Sequence, residues 1–255
     1  CNNRSGCDKR RSGDKRIRCK TRHNITTNTN GTTRTVDNQH RILGEKISVL
    51  NSVQNLTNAK DAIIDVQEAE FVTGGRARVV NKGSWFMSRS LKGTVASFEN
   101  SGKVLLEGNA VNAFTILQGL TTTEGSLWEA SSLALDVKGE WSHRGILSLR
   151  GASSLRAYRL KNFGKIGRAE GTQGLLEVVA NEFQNRGSLG FYHLNLTVRD
   201  RLTTTGTSVI SAAERLVLDY DRAYDHYGTL SAKDLTYRGT TGGAKLTNKG
   251  IIKVT

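Results

Sequence analysis

Residues 98–106 read Phe-Glu-Asn-Ser-Gly-Lys-Val-Leu-Leu, and this arrangement recurs along most of the chain. A bulky apolar residue is followed by Asn two positions on, by Gly four positions on, and then by a short run typical of a β-strand. The same frame is intact at 79–83, 160–164, 183–187 and 246–250. The Asn residues of the five intact copies are Asn81, Asn100, Asn162, Asn185 and Asn248.

Four weaker copies keep the spacing and change the middle residue. His143, Thr204 and His226 replace Asn in 141–145, 202–206 and 224–228, and 121–125 is the most degenerate copy. The glycines of all nine copies follow one another at intervals of 19 to 23 residues: Gly83, Gly102, Gly125, Gly145, Gly164, Gly187, Gly206, Gly228 and Gly250. A period near twenty residues, sustained over nine copies, indicates a solenoid of stacked repeats.

Composition and periodicity favour a solenoid built of short strands. The 255 residues include 27 Gly and no Pro, which would remove a backbone donor that stacked strands need. Apolar residues alternate with polar ones in the short runs, without a convincing helical stripe. No run of 18 apolar residues is present, so no membrane span is predicted. We predict an all-β parallel β-helix of about ten coils, each of roughly twenty residues.

Each position of the frame has an expected role in such coils. The bulky residue points into the core, and Asn bonds backbone groups at the bend and its own neighbours in a column. Gly is expected to supply a positive φ at a tight corner. Because neighbouring coils pair in parallel, Gly164, Gly187 and Gly206 are predicted to form one column with a spacing of about 4.8 Å.

Charge divides the chain into two predicted parts. Residues 1–40 hold ten Lys or Arg against three Asp, which is half of the formal net charge of +14. This stretch is polar and nearly free of large apolar residues, so we expect a basic N-terminal tail or loose cap. Residues 41–255 are predicted to form the β-helix, with two irregular coils between Gly44 and Gly83 and clear repeats from residue 79.

The three cysteines, Cys1, Cys7 and Cys19, all lie in the basic tail. An odd number cannot form a closed disulfide framework. Cys7 and Cys19 with His23 form a possible zinc site without a paired C-x-x-C, and an N-terminal Cys is also what a mature lipoprotein has. Unstructured thiols are the alternative. A chain that begins at Cys is expected to be a processed product or a fragment.

The repeated frame, over roughly residues 79–255, resembles the haemagglutinin-type repeats of filamentous haemagglutinin and related two-partner-secretion exoproteins, including the stalks of contact-dependent-inhibition toxins. The resemblance implies a right-handed β-helix that is secreted or displayed on the cell surface of a Gram-negative bacterium, with an outer-membrane transporter for export. The secretion domain of that family carries Asn-Pro motifs, and this chain has no Pro. Residues 251–255 end in mid-strand, which predicts further coils or a capping domain after them.

Basic residues are the candidate binding groups. A cationic tail can bind nucleic acid, anionic lipid or a sulfated glycan through charge, and it can equally remain solvated without a ligand. The expected partner is a receptor or an acidic glycan on a host or neighbouring cell. Candidate glycan- or polyanion-binding residues are Lys9, Arg10, Arg11, Lys15, Arg16, Arg18, Lys20 and Arg22 in the tail, with Arg76, Arg78 and Lys82 on the coils.

An acidic cluster at 219–227 is the one stretch that suggests catalysis. Asp219, Asp221 and Asp225 are candidates for a polysaccharide lyase or glycosidase, where paired acids or Ca²⁺ act on a sugar chain. Tyr224 and His226, however, occupy the repeated bulky and Asn positions. We therefore predict no catalytic residue, metal ligand or cofactor, and a non-enzymatic, extracellular adhesin-like or stalk-like segment. The alternatives are a β-helical polysaccharide enzyme and a phage or virus fibre segment.

Overall fold

A computed structural model describes residues 35–108 and 112–255, together with the backbone of two short strands before them. The described residues form strands and turns, with no helix, and none of them could therefore cross a membrane as a helix. The strands are β1 Cys7–Asp8, β2 Arg16–Cys19, β3 Thr35–Asn38, β4 Arg41–Leu50, β5 Asn55–Asn58, β6 Ile63–Val72, β7 Arg78–Asn81, β8 Ser84–Asn100, β9 Lys103–Leu106, β10 Asn112–Thr122, β11 Leu127–Ala130, β12 Leu133–His143, β13 Ile146–Leu149, β14 Ser153–Asn162, β15 Lys165–Arg168, β16 Leu175–Asn185, β17 Ser188–Thr204, β18 Val209–Tyr220, β19 Ala223–His226, β20 Thr229–Ala232, β21 Asp234–Gly239, β22 Lys245–Asn248 and β23 Ile251–Val254.

Successive coils pair in parallel and form three faces. Face 1 contains the strands that end at the Asn position: β3, β5, β7, β19 and β22, with the last residues of β8, β10, β12, β14, β16 and β17. Face 2 contains the strands that follow the Gly position: β9, β11, β13, β15, β20 and β23, with the first residues of β4, β6, β8, β17 and β18. Face 3 contains the remaining paired segments and β21. The predicted parallel β-solenoid is confirmed.

The coils are regular in length. The face 1 strands end at residues 38, 58, 81, 100, 122, 143, 162, 185, 204, 226 and 248, so ten intervals cover 210 residues, a mean of 21. The two coils expected between Gly44 and Gly83 are present, because β3 pairs with β5 and β5 with β7. The first described coil begins at Thr35, six residues before the predicted boundary at 41.

The N-terminal residues contribute one further pairing to the stack. Strand β2 adds in parallel to β3, with Ile17 opposite Val36, and β1 pairs with β2 in the antiparallel direction. In that register the backbone of Cys7 lies opposite that of Cys19. Cys1 and His23 lie outside the described residues.

The core is a column of alternating inward side chains from all three faces. Its widest part is an aromatic cluster in which Phe98 contacts Trp85, Phe114 and Trp128, with ring centroids 5.5 to 5.8 Å apart. Phe71 completes the cluster against Trp85 and Phe114. These rings exclude water along the axis, and such burial is the main stabilising contribution to the fold.

Gly93 makes room for part of this cluster. It is paired with Phe71 on one side and with Phe114 on the other, so it stands between two inward-facing rings. Because Gly93 has no side chain, the rings of Phe71 and Phe114 meet across its coil at 5.5 Å. Its φ of +118° and the closeness of the Phe71 carbonyl oxygen, 2.2 Å from an ideal Cβ, both require glycine.

Candidate functional site

A buried polar ladder follows the corner between face 1 and face 2. It contains the Asn residues of the repeated frame and the His and Thr residues that replace them. The ladder consists of the last residue of each face 1 strand: Asn38, Asn58, Asn81, Asn100, Thr122, His143, Asn162, Asn185, Thr204, His226 and Asn248. All are buried except Asn248, in the last coil. The five predicted Asn residues are among them.

Asn side chains bond one another along the ladder. The amide nitrogen of Asn81 donates to Oδ1 of Asn100 at 2.8 Å, and Asn162 donates to Asn185 at the same distance. Each of these two amides also donates, at 3.0 Å, to the carbonyl oxygen of the first face 2 residue one coil on, Lys103 or Ser188. Both amide protons are therefore used inside the corner, as a buried polar group requires.

Thr and His replace Asn in consecutive pairs. Thr122 Oγ1 lies 2.6 Å from His143 Nδ1, and Thr204 Oγ1 lies 3.1 Å from His226 Nδ1. In each pair Nδ1 of the imidazole faces the ladder residue of the preceding coil, as Oδ1 of Asn does at Asn100 and Asn185. The replacement has a cost at Asn100, whose buried Nδ2 finds no partner among the described residues.

The imidazole of His143 is held neutral by its surroundings. Its Nε2 lies 3.1 Å from the carbonyl oxygen of Lys165, which can only accept, so Nε2 carries the proton. Nδ1 then accepts from the Thr122 hydroxyl. Burial lowers the pKa of His143 from 6.5 to about 4, because the charged form loses its hydration there. This group acts as a structural hydrogen-bonding element of the corner.

The glycine column next to the ladder has a different cause from the one predicted. Among the described glycines, positive φ values occur at Gly74, Gly75, Gly93, Gly125 and Gly171. Positive φ is absent at Gly83, Gly102, Gly145, Gly164, Gly187, Gly228 and Gly250. The column glycines are needed because adjacent coils approach closely: an ideal Cβ on Gly187 would stand 2.0 Å from the carbonyl oxygen of Gly164. The same contact recurs between Gly102 and Gly83 and between Gly250 and Gly228, at 2.0 and 2.3 Å.

The assignments of Gly125 and Gly206 to the column are wrong. Their coils have two extra residues in this corner, and Ser126 and Ser208 take the column position instead: Ile146 N donates to Ser126 O, and Thr229 N donates to Ser208 O. The backbone N–H and the hydroxyl of Ser126 both donate to the carbonyl oxygen of Thr123 and so close the turn. Those of Ser208 donate in the same way to the carbonyl oxygen of Thr205. The copy of the frame placed at 121–125 is therefore shifted by one residue toward the C-terminus. Leu120 fills the core position and Thr122 fills the ladder position.

The acidic cluster does not converge on one place. Asp219 points outward on face 3, where its two carboxylate oxygens accept from Arg238 at 2.8 and 2.9 Å. Asp221 lies at the following corner and accepts from the Thr240 hydroxyl. Asp225 lies on face 1, between the buried Tyr224 and His226. The three carboxylates are therefore divided among two faces and a corner, and no three potential metal ligands cluster within the described part of the chain.

The candidate basic residues are also dispersed. Those between Lys9 and Arg22 have no described side chains. Arg78 lies on face 1 and pairs with Glu99 at 3.5 Å, while Arg76 and Lys82 are exposed at the two corners that bound this face. Asn38, Asn58 and Thr122 are ladder residues that the repeated frame did not predict. The signal was present at 36–38 and 56–58, where a bulky residue precedes Asn by two positions without a column Gly.

No protein-family model, curated protein or solved structure matches the chain. The resemblance to haemagglutinin-type repeats therefore stays a prediction from the repeated frame.

Proposed function

We propose that this chain is a non-enzymatic, extracellular segment, adhesin-like or stalk-like, that presents a surface or spaces other domains of a larger secreted protein. The observation that supports the proposal is the column of polar residues from Asn38 to Asn248, one in each coil, whose side chains bond those of the neighbouring coil or its backbone at most positions. Residue types that elsewhere carry out chemistry, such as His143 and His226, are buried in it and are used to join one coil to the next.

The outer surface supports the same role. Ion pairs link successive coils: Arg159 donates to both carboxylate oxygens of Glu182 at 2.8 and 2.9 Å and lies 3.6 Å from Glu140. These hydrogen bonds raise the pKa of Arg159 and lower that of Glu182. Similar pairs join Arg238 to Asp219 and Lys233 to Glu214. Charged side chains along the faces keep the strands from associating laterally, which suits an extended segment.

Export and location follow from the motif resemblance within this proposal. As an exoprotein of the haemagglutinin-repeat type, the chain would pass through an outer-membrane transporter and act at the surface of a Gram-negative cell. Its partner would be a receptor or an acidic glycan on a host or neighbouring cell. Ten coil intervals give a segment about 48 Å long, at about 4.8 Å per coil.

Two assays on the purified full chain test this role. The first follows cleavage of polygalacturonate, alginate and glycosaminoglycans with and without Ca²⁺, for which we expect no turnover. The second measures retention of host cells and of bacterial cells on a surface coated with the chain, for which we expect retention above an albumin control. Turnover that is lost in Asp221→Ala would contradict the proposal, and would establish the enzyme alternative.

A further inference from the structure

The corner outside the polar ladder is lined with cations. We define the corner strip as the residues between each ladder position and face 2, together with the first residue of face 2 in each coil. Its exposed basic members are Arg41, Lys60, Lys82, Lys103, Arg144, Lys165, Arg186 and Lys249. Of these, Arg41 pairs with Asp65 at 3.2 Å. The acidic side chains of the strip, Asp61 and Glu124, both lie in the longer corners, away from its centre at 144–186.

An aromatic ring orders the centre of the corner strip. Phe163 stands between two guanidinium groups: Cζ of Arg144 lies 4.5 Å from the ring centroid and Cζ of Arg186 lies 5.4 Å from it. The two arginines come from the coils before and after Phe163, so they stack on opposite sides of the ring. Cation–π contacts of this kind restrict the guanidinium planes. Nε and Nη2 of Arg186 also donate to the side-chain oxygen of Gln184, at 3.2 and 3.0 Å, which fixes this guanidinium further and leaves its charge uncompensated.

The charge at this centre is not compensated. Arg144, Lys165 and Arg186 form no ion pair with any residue that the structure describes, whereas the cations of the neighbouring face 1 network are paired. Coils stack at about 4.8 Å, so the three cations repeat along about 10 Å of a straight edge. An extended row of unpaired cations is an electrostatic match for a chain of repeated anionic groups.

We propose that the corner strip binds a single extended chain of sulfated or carboxylated polysaccharide that lies parallel to the solenoid axis, with Arg144, Phe163 and Arg186 at the centre of the contact. Arginine forks bind planar carboxylate and tetrahedral sulfate groups through paired hydrogen bonds. The faces of the Phe163 ring are occupied by guanidinium groups, so the ring offers no platform for a nucleic acid base. The phosphate backbones of a duplex wind around its axis and follow a straight row of cations over only part of a turn.

The test measures binding of the full chain to immobilised heparin at several salt concentrations. Arg144→Gln/Arg186→Gln should lower the affinity about tenfold and reduce the salt slope by about two, because two contacts that release counterions are lost. Arg156→Gln/Arg199→Gln, which removes two exposed cations away from the strip, is the matched control, expected to change the affinity less than about threefold. Arg144→Lys/Arg186→Lys keeps the charge and loses the forks, so an intermediate loss is expected.

The proposal rests on the proposed function, since it gives a site for its acidic glycan partner. The two fail separately, because loss of this site would leave the results of the turnover and cell-retention assays unchanged. Equal losses in the Gln variant and its control, or no loss in either, would overturn the assignment and attribute binding to charge elsewhere, including the tail. A DNA duplex of matched charge that binds as tightly as heparin, and loses as much in the Gln variant, would overturn the polysaccharide assignment. Unchanged thermal unfolding of all variants shows that binding, and not the fold, is affected.

Discussion

Gly187 lies where the chain passes from face 1 into face 2, and a Cβ built on it would stand 2.0 Å from the carbonyl oxygen of Gly164. Gly190, three residues on, points outward within β17, and its ideal Cβ would meet the Ser211 hydroxyl, a movable group, at 2.9 Å. The two glycines therefore differ in how well they tolerate a larger side chain, although they lie only three residues apart.

Gly187→Val should destabilise the protein by about 3 kcal/mol or more, because the coils must separate to admit the side chain. Gly190→Val should change the free energy of unfolding by less than about 1 kcal/mol, since an outward strand position favours a β-branched residue. Urea unfolding of both variants at neutral pH measures the difference. Equal losses would show that the close approach of adjacent carbonyls is not what selects glycine in this column.

The buried His143 predicts a pH dependence of stability. Its folded pKa is about 4 and its ordinary value is 6.5, so between these values the unfolded chain binds a proton that the folded chain does not. The stability is therefore complete above pH 6.5 and decreases as the pH falls toward 4, by about 3 kcal/mol in total. His143→Asn should remove this contribution, measured as a smaller shift of the urea midpoint between pH 7 and pH 5.

Asn162→Ala is the control for the pH experiment, because it removes a ladder side chain of the next coil and no titratable group. It should lower the midpoint at both pH values and leave the shift between them as in the parent chain. A His143→Asn variant with the full pH dependence would contradict the role given to this imidazole.

At the scale of elements, the ladder joins strands that are about twenty residues apart in the chain. Thr122 and His143 act as one unit in it, since the Thr122 hydroxyl donates to Nδ1 of the imidazole. The same pair occurs at Thr204 and His226, and again a corner with two extra residues lies between the Thr and the His. There the Tyr224 hydroxyl also contacts Nδ1 of His226, at 2.8 Å. Burial raises the pKa of that phenol.

A double-mutant cycle tests this coupling. Thr122→Asn crowds the imidazole and His143→Asn leaves the space that it filled, so each should cost about 1–2 kcal/mol. The double variant restores a run of Asn and offers an acceptor to Asn100, so it should be more stable than the sum of the single changes by about 1 kcal/mol. Thr122→Asn combined with the distant His226→Asn is the control and should be additive. Additivity in both pairs would show that Thr122 and His143 are not energetically coupled.

At the scale of the whole molecule, stability is distributed along one axis. Each coil pairs with the coil before and the coil after it, so one coil can in principle be removed if the register of the others is kept. Side-chain bonds within the ladder span 19 to 26 residues, which corresponds to one coil and its corner. The aromatic cluster and the ion pairs also join neighbouring coils.

Deletion of residues 163–185 removes one coil and joins Asn162 to Arg186, so that Asn162 takes the place of Asn185 beside Thr204. We expect a folded chain with β-type circular dichroism and cooperative unfolding, and a midpoint within about 8 °C of the parent. Deletion of 163–174 removes half a coil, places inward residues on the wrong face and should abolish cooperative unfolding. Similar behaviour of the two deletions would contradict a register set coil by coil.

The repeated frame of bulky residue, Asn and Gly was sufficient to predict the solenoid, its coil length and five ladder residues, because stacking in parallel places like residues on like. That inference was strongest where the corner had one length, as at Asn162 and Asn185. It was wrong at Gly125 and Gly206, because a fixed offset cannot represent a corner that gains two residues. The first coils were under-recognised because Asn38 and Asn58 have no glycine at the expected offset. His40 takes that position after Asn38, and the corner after Asn58 has two extra residues.

Sequence alone therefore determined the period, the strand type and the identity of the inward column, all of which depend on short-range pattern. Only the tertiary structure decided why the column glycines are needed, since the clash is with a carbonyl of another coil and not with the local backbone. It also decided that Asp219, Asp221 and Asp225 do not meet, and that Arg144 and Arg186 stack on one ring. Those arrangements depend on which residues the coil length brings side by side, and residues about 21 apart become neighbours only after the coils have stacked.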